Sequence, residues 1–255
     1  MKIKFLNFLF ITCSSLMWSC DGKKDIREYY FPLKQLREQP KVYEYQYTLK
    51  DTSVKMYWYY QTVVQNDSIY FVGTCYNDDF QQMLLVREQR FENGMKLKDL
   101  FYFGTDSTFK AVRTKAAVEG GAVFPFQVKD DKGVFVNIIK YHDPKDSTHE
   151  TTLTRNRRFI KETKYIYRSV QYDAIEFEMK EEQSERDLKK GGWSHVYPIQ
   201  EVYVKGIGQV YTKREISEGN FITMHLVDIY TMPELENKFK ERQRGSHYVP
   251  NESKQ

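Results

Sequence analysis

Residues 41–49 alternate strictly along the chain, and this alternation constrains the fold more than any other feature of the sequence. The segment KVYEYQYTL places a tyrosine at every second position, at Tyr43, Tyr45 and Tyr47. Successive side chains of a β-strand point to opposite faces, so these three rings share one face of a strand. A polar turn leads into VKMYWYYQTVV at 54–64, and the two segments are predicted to form a hairpin.

Short polar turns separate further strand-like segments over most of the chain. Asn93-Gly94 joins two apolar-rich segments, which is the strongest short-range signal of a hairpin. Further strands are predicted at 68–75, 83–92, 95–103, 133–141, 207–216 and 221–230. Strands joined by short turns, with few helical patterns between them, predict a mainly β fold: a large curved antiparallel sheet or half-barrel built from hairpins.

Two helices are predicted beside this sheet. A short N-terminal helix covers 32–38, where two leucines are spaced for one helical face. A C-terminal helix covers 232–243. Thr231 and Glu234 have the spacing of a capping box at its start, and Gly245 marks its end.

The predicted elements form a single antiparallel β domain at 32–245, followed by a flexible tail at 246–255. Residues 142–158 are polar and charged throughout. They could form a long hairpin tip within one sheet, or a boundary that divides the domain into two lobes. One continuous sheet is the preferred interpretation.

The first 19 residues have the pattern of a secretory signal. A basic start with two lysines is followed by an apolar stretch at 5–18. Because polar residues interrupt this stretch, it falls short of the roughly 20 apolar residues that a membrane-spanning helix needs. The segment Leu-Met-Trp-Ser-Cys at 16–20 resembles the lipobox that lipoprotein signal peptidase cuts in bacterial lipoproteins.

This resemblance implies that residues 1–19 are a signal peptide and that Cys20 becomes the acylated first residue. Each buried methylene of an acyl chain such as palmitate contributes about 0.8 kcal/mol to membrane binding, and two chains anchor a protein stably. The membrane would then be a partner through the N-terminal lipid and a tether at 20–31. The alternatives are an ordinary secretion signal with a chance cysteine, or a retained membrane anchor.

Two further resemblances concern the cell envelope. The charged segment DGKKD at 21–25 resembles surface-export signals of Bacteroidota lipoproteins, with a solvated linker as the alternative. Residues 203–210 are similar to a glycine-containing strand of curved-sheet envelope proteins related to lipoprotein carriers. Together with the lipobox they imply a lipid-anchored protein of the bacterial cell envelope, in the outer membrane, facing the periplasm or the surface.

Charge and cysteine content exclude several classes of protein. Without residues 1–19 the chain keeps 37 of its 39 basic residues against 35 acidic residues, a net charge of +2. That bias is too small to favour nucleic acid as a partner. Cys13 leaves with the leader and Cys20 is acylated, so Cys75 alone cannot form an internal disulfide. Cys75 is interpreted as a buried structural cysteine rather than a nucleophile.

An aromatic cluster is the candidate ligand site. Consecutive strand residues alternate between faces, so Trp58 and Tyr60 lie on one face and Tyr57 and Tyr59 on the other. One face could present an aromatic platform to a sugar or an apolar ligand. Ordinary packing on both faces of the strand is the alternative.

No catalytic motif, cofactor or metal site is predicted. His142 and His149 flank two aspartates, but their spacing matches no established metal motif, and Asp-Pro and Asp-Ser are typical of turns. The acidic cluster at 77–79 lacks the calcium-loop pattern. A nucleophile elbow, a phosphate-binding glycine loop and a dinucleotide fingerprint are all missing from the sequence.

These patterns predict a non-catalytic, membrane-anchored envelope lipoprotein that binds a protein partner or an apolar ligand on its curved sheet. One alternative is a glycan-binding lipoprotein that uses an aromatic platform around Trp58 or Trp193. The other is a hydrolase whose site joins distant residues such as His142, His149 or Asp79.

Overall fold

The computed structural model describes residues 22–129, 133–143, 146–187 and 191–246. Cys20, the predicted signal peptide at 1–19 and the predicted tail beyond 246 lie outside these residues. No helix of the described residues is long and apolar enough to cross a membrane.

The described residues form fifteen strands, one 3₁₀ turn and two α-helices. In chain order they are β1 Lys24–Asp25, the 3₁₀ turn Arg27–Tyr29, α1 Leu33–Glu38, β2 Lys41–Leu49, β3 Thr52–Gln65, β4 Ser68–Tyr76, β5 Gln82–Phe91, β6 Gly94–Thr105, β7 Ala111–Lys115, β8 Ala117–Pro125, β9 Gln127–Val128, β10 Phe135–Asp143, β11 Asp146–Tyr167, β12 Val170–Asp187, β13 Gly191–Val204, β14 Gly208–Ser217, β15 Asn220–Tyr230 and α2 Met232–Ser246.

Twelve of these strands close into an antiparallel ring. Neighbouring strands follow the order β5-β4-β3-β2-β15-β14-β13-β12-β11-β10-β8-β6, and β6 pairs back with β5. Strand β7 pairs with the end of β6, and β1 pairs with β9 in a separate two-stranded sheet. The predicted curved antiparallel sheet with a short N-terminal and a C-terminal helix is confirmed, and the sheet curves far enough to close.

The alternation in β2 sets which face lines the interior of the ring. Tyr43 and Tyr45 point inward and are 2% and 1% exposed. A buried tyrosine hydroxyl needs a hydrogen-bond partner. The Tyr43 hydroxyl donates to the carbonyl of Ile207 at 3.0 Å, and the Tyr45 hydroxyl donates to the carbonyl of Gln209 at 2.9 Å. These bonds connect β2 to the start of β14, so the two tyrosine side chains span part of the interior of the closed sheet.

Residues 26–36, called here the plug segment, enter the ring. The Phe31 ring stacks on Phe71 of β4 at 4.7 Å between centroids, and the Tyr30 ring lies 5.2 Å from that of Phe124 of β8. Because it contacts inward side chains of separate strands, the plug segment fills part of the interior. The tether predicted at 20–31 therefore needs correction, since its later residues belong to the core.

The C-terminal helix covers the outer face of β2 and β3. Leu235 of α2 is buried in a cluster with Val42 and Tyr57. At its start, the Thr231 backbone N–H and hydroxyl donate to Glu234 Oε2 at 2.5 and 2.8 Å, as the capping box predicts. The helix ends at Ser246, one residue past the predicted stop.

The sheet is continuous through the segment that could have been a boundary between lobes. Residues 142–158 belong to β10 and β11, which pair from Phe135↔Arg157 to Asp143↔Asp146. Strands β11 and β12 then pair over 18 positions. The strands on both sides of residues 142–158 therefore belong to one ring.

Candidate functional site

A cavity of about 220 Å³ lies inside the ring, next to the plug segment. One part of its wall is apolar and comes from β5, β6 and β10. The side chains of that wall are Leu84, Val86, Leu97, Leu100 and Ile139. The other part is polar and consists of Glu88, Asn137, Arg155 and Arg157.

Strand register places the four polar side chains around this cavity. Asn137 of β10 lies directly opposite Arg155 of β11, and Arg157 follows two residues later on the same face. Glu88 of β5 lies opposite Leu97 of β6. Asn137, Arg155 and Arg157 each share a face with a buried residue of the same strand. Glu88 shares a face with Leu84 and Val86, which also line the cavity, so all four polar side chains point inward.

Arg157 is neutralised by a dedicated carboxylate. Its Nη2 donates to Glu201 Oε1 at 3.0 Å, and its Nε lies 2.7 Å from Glu201 Oε2, although that second contact lacks the alignment of a hydrogen bond. Burial disfavours the charged guanidinium, but the Glu201 carboxylate outweighs it and raises the pKa of Arg157. Gln209 also donates to Glu201 Oε1 at 3.0 Å. The pair is therefore fully charged and internally compensated.

Arg155 uses one edge of its guanidinium in a second ion pair. Its Nε donates to Glu181 Oε2 at 2.7 Å, and Arg214 Nη2 lies 2.9 Å from Glu181 Oε1. Glu181 is 3% exposed, so two guanidinium groups share one buried carboxylate. Across the described ranges, Glu181 accepts the one hydrogen bond that Arg155 donates. The terminal nitrogens of Arg155 are therefore left to other acceptors.

Glu88 has a different environment from the other two carboxylates. Its Oε2 accepts a hydrogen bond from the Tyr30 hydroxyl at 2.6 Å. Among the residues that the structure describes, no cationic group lies within 4.0 Å of it. Burial raises the pKa of Glu88 to about 7, which the Tyr30 hydrogen bond and the charge of Arg157 only partly oppose. Glu88 therefore keeps its proton to a higher pH than an ordinary glutamate does.

Asn137 leaves a hydrogen-bond acceptor unsatisfied. The residue is 6% exposed, and its Oδ1 has no hydrogen-bond partner in the described part of the chain. Buried polar groups in native proteins almost always have partners, and leaving one unsatisfied costs about 1–3 kcal/mol. Because this oxygen has almost no accessible surface, it lies behind the cavity wall and does not by itself indicate a ligand.

The dimensions of the cavity limit what it can hold. A dry engineered cavity of about 150 Å³ is known to bind benzene, and drug-sized sites begin near 300 Å³. A cavity of about 220 Å³ therefore fits a small molecule with an apolar part and a few polar groups. It is too small for the long acyl chains of a lipoprotein.

The four aromatic residues predicted to bind ligand are divided between three environments. Trp58 lines the cavity, while Tyr60 is 7% exposed in the interior core. Tyr57 is covered by α2, with its ring centroid 5.6 Å from that of Phe239. Tyr59 is half-buried on the outer face. The four rings do not share one open platform, and only Trp58 reaches the cavity.

The other candidate residues lie apart from the cavity wall. His142 Nε2 is 3.7 Å from Glu150, and His149 Nε2 is 2.9 Å from Glu185. Asn77 Oδ1 accepts from the backbone N–H of Asp79 at 3.1 Å, so the acidic cluster forms a turn. Within the described ranges, no three His, Cys, Asp or Glu side chains are grouped to hold a metal ion.

Cys75 and Trp193 also have clear environments. Cys75 is 1% exposed, and burial raises its pKa to about 12, which suits a structural thiol rather than a nucleophile. Trp193 is 49% exposed on β13, opposite Glu185 of β12. Neither residue lines the cavity described above.

Sequence reasoning missed the polar residues of the cavity wall. Arg155 and Arg157 occur in a segment whose charges indicated a polar hairpin tip or a boundary. A usable signal exists in hindsight: positions 151, 153, 155, 157 and 159 carry Thr, Leu, Arg, Arg and Phe, and they form one face of β11. Glu88 and Asn137 carry no such signal, because single polar residues in strands usually face solvent.

Comparisons with known proteins show the fold and no family. No family model and no curated protein matches the chain. A candidate lipoprotein from Parabacteroides distasonis has a similar structure, with a TM-score of 0.51 and 10% identity over 79% of this chain and 97% of that chain. A candidate exported protein with a YmcC-like fold from Bacteroides fragilis has a TM-score of 0.50 and 8% identity, over 79% of this chain and 99% of that chain.

Both similar structures come from Bacteroidota species, which agrees with that part of the predicted resemblance. At 8–10% identity the likeness extends to the fold and not to residues of a site. The lipobox at Cys20 stays a prediction, since Cys20 lies outside the described residues.

Proposed function

We propose that this chain is an exported, lipid-anchored protein of the bacterial cell envelope that binds a small, partly apolar ligand inside its closed sheet without changing it chemically. One observation carries the ligand part: the ring encloses a cavity of about 220 Å³ whose wall combines an apolar surface with the charged side chains of Glu88 and Arg155. The binding surface is thus the interior of the ring rather than an outer face of a curved sheet.

The ring suits binding because its wall is rigid. Twelve paired strands leave no free edge around the cavity, and the plug segment packs against one side of it. A preformed site loses little conformational entropy when a ligand enters. Ion pairs with the buried carboxylates Glu181 and Glu201 also fix the orientation of Arg155 and Arg157 before any ligand arrives.

The anchor follows from the lipobox-like segment and from the chain length after it. Cys20 precedes Lys24, the first residue of β1, by four residues, which span at most about 14 Å. Acylation of Cys20 would therefore hold β1 and the adjoining plug segment close to the membrane. The similar structures, one of them a candidate lipoprotein, support this location without testing the anchor.

Labelling with a clickable fatty acid tests the anchor. The full chain should incorporate the label in cells, and Cys20→Ala should abolish it. If Cys20→Ala keeps the label, the site of acylation proposed here is incorrect.

Native mass spectrometry tests the ligand. All described elements lie within 22–246, and twelve of the strands form a ring with its own core, so residues 22–255 can be studied as a detergent-free protein. We expect a bound small molecule that Ala122→Leu displaces, because Ala122 lines the cavity. The control is Ala111→Leu, the same change at an exposed position of β7. An adduct unaffected by Ala122→Leu would place the ligand elsewhere.

A further inference from the structure

The cavity wall contains three kinds of unused binding group, and together they describe a ligand. This inference rests on the proposed small-ligand function. Glu88 offers a hydrogen-bond acceptor, Arg155 offers terminal N–H donors, and β5, β6 and β10 offer an apolar surface. A ligand that satisfies all of them must carry donors, an acceptor and an apolar group within about 220 Å³.

The balance of charged groups around the cavity determines which of these ligands is favoured. The interior groups around the cavity include three guanidinium groups, Arg155, Arg157 and Arg214, and three carboxylates, Glu88, Glu181 and Glu201. Glu181 and Glu201 already neutralise guanidinium groups at 2.7–3.0 Å. Glu88 is the carboxylate among the three that has no cation within ion-pair distance in the described residues.

A positively charged donor next to Glu88 would provide that cation. An added cation alone would leave the interior with a net charge of +1 when Glu88 is ionised. A ligand that also carries a carboxylate, placed at the terminal nitrogens of Arg155, would restore neutrality. Burying a charge is costly unless it is paired, so the neutral combination is preferred.

We infer that the cavity binds a small apolar zwitterion, the class of the α-amino acids with aliphatic side chains. Its ammonium group pairs with the Glu88 carboxylate. Its carboxylate accepts from the terminal nitrogens of Arg155. Its side chain packs on the wall formed by Leu84, Val86, Leu97, Leu100 and Ile139.

The protonation of Glu88 is consistent with this arrangement. Because burial raises its pKa to about 7, the empty cavity keeps a proton on Glu88 up to neutral pH. The ammonium group would take the place of that proton as the positive partner of the carboxylate. With the zwitterion bound and this proton released, the three guanidinium groups and the ammonium group are balanced by the three protein carboxylates and the ligand carboxylate.

Isothermal titration calorimetry of residues 22–255 at pH 7.5, with three matched probes, tests whether the ligand is an apolar zwitterion. The probes are L-leucine, its deaminated analogue 4-methylpentanoate and its decarboxylated analogue 3-methylbutylamine. Hydrogen bonds to charged groups contribute about 1.5–3 kcal/mol, which corresponds to about 10- to 150-fold in affinity. L-leucine should therefore bind at least tenfold more tightly than either analogue.

Glu88→Gln separates the role of Glu88 from a general effect on the fold. The variant should lose at least tenfold in affinity for L-leucine and little for 4-methylpentanoate, which has no ammonium group. Glu119→Gln is the matched control, because Glu119 lies on β8 outside the ring, with half its side chain exposed. A circular dichroism melt of each variant confirms that it is folded.

The outcomes distinguish the ligand class from the proposed function. If either analogue binds as tightly as L-leucine, the inference that the ligand is a zwitterion is overturned, while the cavity remains a ligand site. If no probe binds but the native mass spectrum retains a displaceable adduct, the class is again overturned and the function stands. If no probe binds and no adduct is present, both inferences fail.

Discussion

Replacing Glu88 by glutamine should remove a specific part of the pH dependence of folding. The Glu88 carboxyl has an ordinary pKa of 4.5, and burial inside the ring raises it to about 7. A raised carboxyl pKa means that the folded state binds the proton more tightly than the unfolded chain does. Its contribution to stability is therefore complete below pH 4.5 and is lost as the pH rises through 7.

The magnitude follows from the size of the shift. A shift of about 2.5 pKa units at 1.36 kcal/mol per unit corresponds to about 3 kcal/mol. Glutamine resembles the protonated carboxyl in shape and cannot ionise. We therefore expect Glu88→Gln and the parent to have similar unfolding free energies at pH 5. At pH 8.5 the variant should be more stable by about 3 kcal/mol.

Urea unfolding followed by tryptophan fluorescence, repeated from pH 5 to pH 8.5, measures this difference. Other groups titrate in both proteins, so the readout is the difference in unfolding free energy between variant and parent at each pH. Glu119→Gln makes the same replacement on the outer face and should not show the rise of about 3 kcal/mol. If the difference in unfolding free energy between Glu88→Gln and the parent stays constant over this pH range, the prediction that burial raises the pKa of Glu88 is wrong.

Three further predictions concern the core. Arg157→Met should destabilise the fold by about 3–5 kcal/mol in urea unfolding, because it leaves the Glu201 carboxylate buried without a cation. Combining Arg157→Met with Glu201→Leu should recover part of this loss. A double variant that recovers no stability would contradict the pairing. Gly208→Ala should lower the free energy of unfolding by about 2–4 kcal/mol in the same assay, because φ is +104° and an added Cβ would lie 2.6 Å from the Phe31 ring. An unchanged urea midpoint would contradict that contact. Cys75 in residues 22–255 should react with a thiol reagent only after unfolding, because burial raises its pKa to about 12, and rapid labelling of the native protein would disprove its burial.

The hairpins could be predicted from sequence because each carries a local signal. The tyrosines of 41–49 share one face, and β2 has the predicted bounds Lys41–Leu49. Asn93-Gly94 joins β5 to β6, where Phe91 pairs with Gly94. The capping box at Thr231 and Glu234 also forms as expected. In each case neighbouring residues alone determine the structure.

Closure of the ring and the site within it depend on contacts that local patterns do not encode. The pairing of β2 with β15, the first and last strands of the ring along the chain, closes the sheet, and nothing in any one hairpin specifies that the ring needs twelve strands. The glycine-containing segment around Gly208 indicated close backbone approach, but not that Phe31 is the neighbour. The tether was predicted too long because Tyr30 and Phe31 gain their burial only inside the finished ring.

The charges of Arg155 and Arg157 made the cavity wall difficult to predict from the sequence. Arg155 and Arg157 face inward, where Glu181 and Glu201 from other strands neutralise them. Charged side chains are almost never buried unless they are paired, so a segment rich in them resembles a surface loop when its partners are unknown. Pairing across strands is a property of the assembled sheet.

A crystal structure of residues 22–255 with the co-purified ligand would show both the ring and its contents. We expect a closed ring in which β2 pairs with β15, and density for a small molecule in contact with Glu88. An open sheet between β2 and β15, or an interior filled entirely by protein side chains, would contradict the proposed function.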